Sequence, residues 1–156
     1  MGKEIERKFL LNHAEWEKVE KPAGKHFRQG YITTDPAKTI RVRATENTGW
    51  LTIKGMSVGA TRLEYEYEIP LTDAIELLDN FSESELEKTR YEIEFCDKLW
   101  EVDVFRGQNQ GLIVAEIELS SETEQFELPL WVAEEVTHDK RYYNSNLTVH
   151  PFQDWK

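Results

Sequence analysis

Polar and apolar residues alternate with period two in segment after segment of this chain, the signature of strands with two unlike faces. The alternation predicts strands over residues 3–10, 39–45, 50–54, 62–69, 90–95, 99–105 and 112–119. A weaker eighth, 26–33, carries Gly30 in its middle, where a bend or bulge is expected. The run from Arg106 to Gly111 is turn-rich and reads as a hairpin loop. Thr72-Asp73 with Glu76 has the spacing of a capping box and predicts a helix through about residue 81. A shorter helix is expected over 13–20. A third is expected over 121–127, ahead of Pro129, where Ser121 and Glu124 repeat the capping spacing. Beyond Tyr143 the tail has no firm period.

Sorting each strand by parity separates two sets. One face carries Ile5 and Phe9, Ile40 and Val42, Leu51 and Ile53, Leu63, Tyr65 and Tyr67, Trp100 and Val102, and Ala115 and Ile117. The other carries Glu4, Glu6 and Lys8, then Arg41 and Arg43, Lys54, Arg62, Glu64 and Glu66, Arg90, Glu101 and Asp103, and Glu116 and Glu118. An open antiparallel sheet with one solvated face also produces such alternation. Two features argue for closure instead. Like charges recur at i, i+2, roughly 7 Å apart on one face, where an open sheet would mix signs. About eight strands also suffice to close a barrel and remove its edges. The expected fold is therefore α+β, mainly β: a closed antiparallel β-barrel of about eight strands with a charged tunnel interior. Helices pack outside, and they or a partner cover the apolar outer face.

At 156 residues the chain reads as one domain, 1–156. No apolar run approaches the roughly 20 residues of a membrane span. The single Cys96 excludes an internal disulfide, suits a reducing cytoplasm, and reads as a small core filler. The formal net charge of −11 disfavours a nucleic-acid partner, while local basic clusters still admit a small anion. Four scattered histidines and one cysteine form no zinc constellation, so any metal would be a hard cation on carboxylates. No oligomeric state is legible, and a homodimer is compatible with the pattern.

The opening Glu4-Ile5-Glu6-Arg7-Lys8 resembles the E-x-E-x-K start of the CYTH proteins, also called triphosphate tunnel metalloenzymes. Further segments match in order. Arg41-Val42-Arg43 resembles the family's R-x-R strand, and Leu51-Thr52-Ile53-Lys54-Gly55 its lysine strand. Arg62, Glu64 and Glu66 are similar to its R-x-E-x-E strand, and Lys88-Thr89-Arg90 to its K-x-R segment. Asp103 and Glu116-Ile117-Glu118 complete the acidic set. Gln29-Gly30-Tyr31-Ile32 and the stretch from Asp139 through Lys140 and Arg141 to Asn146 look like short bacterial members. His138 departs from a glycine expected in the V-T-G-D segment.

The resemblance implies a hydrolase of tripolyphosphate or another triphosphate that depends on Mg²⁺ or Mn²⁺ and releases orthophosphate. It assigns Glu4, Glu6, Tyr31 and Lys88 to catalysis, and Glu4, Glu6, Asp103, Glu116 and Glu118 to metal. Lys8, Arg41, Arg43, Lys54, Lys88 and Arg90 are expected to hold the substrate, as a buried polyanion requires fixed cations. Arg62, Glu64, Glu66, Lys140 and Arg141 form a second tier. The family also contains class IV adenylyl cyclases, which make cyclic AMP from ATP, and thiamine triphosphatases, for which Trp50 is a candidate stacking residue. A non-catalytic polyphosphate-binding barrel would need the basic set without the paired glutamates.

Overall fold

Eight strands close into the barrel that the alternation anticipated. The computed structural model describes residues 2–155, so Met1 and Lys156 lie outside the described residues. The strands are β1 (Lys3–Leu11), β2 (Lys25–Thr33), β3 (Thr39–Ala44), β4 (Gly49–Lys54), β5 (Thr61–Ile69), β6 (Ser84–Phe95), β7 (Lys98–Phe105) and β8 (Ile113–Glu118). Around the ring the order is β1-β5-β4-β3-β2-β6-β7-β8 and back to β1, antiparallel throughout. The seam with β5 is short: Lys3, Glu4 and Ile5 oppose Leu63, Arg62 and Thr61. A ninth strand, β9 (Val132–Glu135), pairs with the end of β1 at Phe9 and Leu11.

The departures from expectation have local causes. β6 begins six residues before the expected Arg90, because its first half points Leu86 inward and Glu85 and Glu87 outward, inverting the later pattern. The four-residue β9 is too short to show a period. Between β6 and β7 the chain turns on Cys96 and Asp97, both with positive φ (48° and 63°), as the tightest hairpin turns require. Cys96 is accordingly exposed and fills no core position.

Helix α1 (His13–Glu17) stops short of the expected residue 20, ahead of Pro22, and is capped by the Asn12 side chain accepting from the Glu15 amide at 3.1 Å. Helix α2 (Leu71–Phe81) starts after Pro70 with no side-chain cap, so the capping box at Thr72 does not form. Asp73 still sits in its first turn, where the helix dipole favours an anion. No helix forms over 121–127. There the Glu124 carboxylate instead accepts from the amide and hydroxyl of Ser120, at 2.6 and 2.8 Å.

The apolar faces are covered in three places. Outside β1, β7 and β8, Phe9, Trp100, Val102 and Ile117 pack against Trp16 of α1 and Trp131, which leads into β9. Outside β2–β4, α2 lies directly on the sheet through Ala74 and Leu78. A Cβ at Gly30 would stand 2.7 Å from Leu78 Cδ2, and one at Gly49 would stand 2.6 Å from Ala74 Cβ. Glycine at both positions is what lets the helix approach so closely. The third cluster lies within the barrel. Leu86, Phe105 and Val114 share the faces of Lys88, Asp103 and Glu116, and meet Tyr142 and the fully buried Leu147 of a third helix, α3 (Asn144–Val149). One end of the barrel is thus filled by apolar side chains, which revises a wholly charged interior. Leu63, Tyr65 and Tyr67 on β5, with Ile53 on β4, remain exposed. No helix among the described residues is long and apolar enough to cross a membrane.

If α3 is part of the folded core, Leu147→Ala should cost about 3 kcal/mol in urea denaturation, the usual range for a buried leucine. A loss under about 1 kcal/mol would show that the barrel end stands without it.

Candidate active site

Above the apolar floor the barrel encloses a cavity of about 190 Å³, lined by seven carboxylates and seven cationic side chains. Each strand contributes at alternate positions, so the period-two pattern delivers every charge to the same space. Glu4, Glu6 and Lys8 enter from β1, Arg41 and Arg43 from β3, and Lys54 from β4. Arg62, Glu64 and Glu66 come from β5, Lys88 and Arg90 from β6, Glu101 from β7, and Glu116 and Glu118 from β8. Tyr31 of β2 lines the same wall. Lys140 and Arg141 do not: Arg141 is exposed and pairs with Asp139 at 2.6 Å.

The cations differ in how fully they are already satisfied. Arg90 is saturated, with Nε 2.7 Å from Asp103 Oδ1, and further carboxylate contacts to Glu116 and Glu101 at 3.2 Å each. Lys88 Nζ lies 2.8 Å from Asp103 Oδ2 and 2.9 Å from Asn144 Oδ1. Burial lowers the Lys88 ammonium to about 8 despite Asp103, with Arg90 adding to the shift. Lys54 Nζ sits 3.3 Å from both Glu4 and Glu64, and Lys8 Nζ 3.4 Å from Glu116. Burial opposes the Lys8 charge, but Glu116 and Glu6 outweigh it and raise its pKa. Arg41 donates to Thr52 at 3.1 Å and Glu66 at 3.2 Å. Arg62 Nε donates to the Gly55 carbonyl at 3.1 Å. Tyr31 Oη accepts from Gln29 at 2.8 Å, which leaves its own proton free to donate.

The carboxylates divide by whether a cation faces them. Burial alone would raise Glu4 and Glu116, yet Lys54 and Arg41 hold the first low, and Lys8 and Arg90 the second. Glu6 goes the other way: burial pushes it well above the ordinary range, and Glu116 and Glu4 push it further. Glu118 is raised by burial and by Glu4 and Glu64, and Glu101 by burial with Glu116 and Asp103 against the pull of Arg90. The register explains part of this, since Glu101 sits directly opposite Glu116, and Glu6 lies two residues along β1 from Lys8, the register partner of Glu116. Like charges placed so destabilise a sheet unless a cation lies among them. A divalent ion therefore fits this wall chemically, although among the described residues no ready-made cage of three ligands exists.

Glu101, Thr52, Tyr143, Asn144 and Ser145 also line the tunnel or order its cations, and sequence reasoning left them out. Alternation already put Glu101 on the charged face beside Asp103 without giving it a role, and Thr52 shares the parity of Lys54, so the same signal reaches it. The other three arrive on the aperiodic tail.

The CYTH domain family matches residues 2–148 of the chain. An inorganic triphosphatase of Acetivibrio thermocellus is 48% identical over all of this chain and 99% of its own length. An inorganic triphosphatase of Nitrosomonas europaea is 40% identical over 94% of this chain and 97% of its own. Among solved structures, that of the inorganic triphosphatase NE1496 superposes with a TM-score of 0.63 at 35% identity, covering 93% of this chain and 97% of that one.

Asp103 anchors the buried charges, so Asp103→Asn should cost about 3 kcal/mol by leaving Lys88 without its carboxylate and Arg90 without its nearest one. Burial would raise this carboxyl, but Arg90 and Lys88 hold it well below its ordinary value of 3.8. A depressed folded pKa means the stabilisation is full above the unfolded value and is lost only as pH falls through the lower folded one. Denaturation at several pH values should therefore show a constant gap between wild type and variant from about pH 4 to 7, below the titration of Lys88, and a narrowing gap in stronger acid. A gap that closes between pH 7 and 5 would contradict the pairing.

Proposed function

The chain belongs to the CYTH family, and on that premise we propose that its tunnel holds a short inorganic polyphosphate end-on and hydrolyses a phosphoanhydride bond, releasing orthophosphate. The observation that carries this reading is the balanced wall, seven cations and seven carboxylates around one cavity. A linear triphosphate brings roughly four negative charges. The wall has no surplus cation to match them, so substrate and divalent metal are expected to enter together.

Lys8, Arg41, Arg43, Lys54, Lys88 and Arg90 grip phosphoryl oxygens, the arginines as forks and the lysines as point charges. Fixed donors in a closed, low-dielectric site need little rearrangement as charge develops in the transition state. Tyr31, its hydroxyl oriented by Gln29, donates a further hydrogen bond. Glu4, Glu6, Glu116 and Glu118 would hold Mg²⁺ or Mn²⁺. When bound, the metal supplies Lewis-acid polarisation of the phosphoryl oxygens and a more acidic water. Both Asp103 oxygens accept from Lys88 and Arg90, which favours a role in orienting those cations over its expected place as a ligand. In this arrangement Asp103 orients those two cations, and Glu101, raised and facing Glu116, stands nearer the metal's requirements. The Trp50 ring already faces Arg43 at 5.4 Å and Phe27 at 6.2 Å. That favours an inorganic substrate over one with an organic ring to stack.

Tripolyphosphate, ATP, thiamine triphosphate and pyrophosphate, each assayed with Mg²⁺, Mn²⁺ or chelator, test the reading. Tripolyphosphate should turn over fastest and not at all in chelator, and any product from ATP should be orthophosphate. A dominant cyclic AMP product, or full turnover after metal stripping, would overturn it. Glu116→Gln and Glu118→Gln should each slow turnover about a hundredfold and diminish the melting shift induced by Mn²⁺. Wild-type rates with an unchanged shift would remove this strand from the metal wall.

A further inference from the structure

Arg43 is the tunnel cation that faces two aromatic rings. Its only carboxylate contact among the described residues is Glu66 Oε1 at 3.3 Å. That same oxygen already accepts from Thr52 at 2.9 Å and Arg41 at 3.2 Å, so Arg43 has the weakest share of it. Its Nε is buried with no hydrogen-bond partner. Aromatic faces surround the guanidinium instead. The Phe27 ring centre lies 4.8 Å from Arg43 Cζ and the Trp50 ring centre 5.4 Å, with the two rings edge-to-face at 6.2 Å. Phe27 also faces Arg90 at 5.5 Å, which places one ring between two like charges.

We propose that Phe27 and Trp50 are positioning residues that hold Arg43 by cation–π contact, keeping its donors free for the phosphate chain. The physical logic is competition. A carboxylate partner would fix the guanidinium equally well, but would occupy the donors that substrate needs and would repel the substrate's charge. A π face attracts a desolvated cation without accepting its N–H bonds, and does so most strongly where water is excluded. Arg90 is the contrast, since its forks are filled by Asp103, Glu116 and Glu101. In this division Arg90 is the more firmly anchored of the two, and Arg43 is the freer to reach for substrate. Consistent with a cation left short of counter-charge, burial, with Arg41 and Arg90 beside it, lowers the Arg43 guanidinium to about 10.

The inference rests on the polyphosphate reading above, and its test separates the two. Calorimetric titration of tripolyphosphate with Mn²⁺ would be run on the wild type, Phe27→Leu, Trp50→Leu, the conservative Phe27→Tyr and Trp50→Phe, Arg43→Gln, and each leucine variant combined with Arg43→Gln. Each leucine variant should weaken binding about tenfold and raise KM more than it lowers kcat, and Trp50→Leu should leave the melting temperature near wild type. The conservative variants should bind like wild type. On the Arg43→Gln background Trp50→Leu should have no further effect, because that ring acts through the guanidinium, and Phe27→Leu should keep only the smaller effect it has through Arg90. Full additivity with Arg43→Gln, or unchanged affinity in both leucine variants, overturns the proposal while leaving the polyphosphate reading intact. A wild type that binds no tripolyphosphate overturns both. Should Phe27→Leu fail to fold, the partly exposed Trp50 and its double-mutant cycle with Arg43 decide between these outcomes alone.

Discussion

The seam between β1 and β5 is only three residue pairs long, Lys3–Leu63, Glu4–Arg62 and Ile5–Thr61, and the site depends on it. Without that closure the polar face would meet bulk water, where its like-charge neighbours would be screened and its ion pairs worth little. With it the same residues face one another across an enclosed space, where charges interact strongly and unpaired ones are costly. Glu4 shows the change most directly. It lies at the seam opposite Arg62 and also reaches Lys54 across the tunnel, at 3.3 Å.

Closure turns the arrangement of charges into a division of labour. Carboxylates that meet cations, such as Asp103, are held ionised and serve as structure. Those that meet other carboxylates, Glu6 and Glu118 above all, are left wanting a positive charge. Cations divide likewise, from the saturated Arg90 to Arg43, which rests on aromatic rings. A wall of this kind is nearly self-neutralising, with seven cations facing seven carboxylates. It remains reactive because its neutrality is locally uneven, with the acidic excess near β8 and the freest guanidinium on β3.

The barrel's two ends are built differently. At one, Leu147, Phe105 and Leu86 pack as an ordinary core, and α3 delivers Asn144 to Lys88 at 2.9 Å. The tail is thus joined to the cation set as well as to the fold. Elsewhere the outer apolar face is covered by α1, α2 and β9, while the β4–β5 face keeps Tyr65 and Tyr67 exposed.

Much of this was legible in the chain. Alternation identified all eight barrel strands and put Glu4, Glu6, Arg41, Arg43, Arg90, Glu116 and Glu118 on one face, because side-chain direction in a strand is a local property with a period of two. The repeated like charges at i, i+2 pointed to enclosure for the same local reason. Pairing partners were not legible. That Glu66 serves both Arg41 and Arg43 while Asp103 is consumed by Lys88 and Arg90 follows from the stagger between strands distant in sequence, which no local pattern records. The early half of β6 was hidden because its inward face is apolar where the barrel narrows onto α3. Capping spacing at Thr72 found α2 but not its start, which follows Pro70 without a side-chain cap, and at Ser121 it misled because no helix forms there. What the sequence determined by itself is which side chains share a face. What only the tertiary structure decided is which of them meet, because closure and register are set by contacts summed over the whole ring.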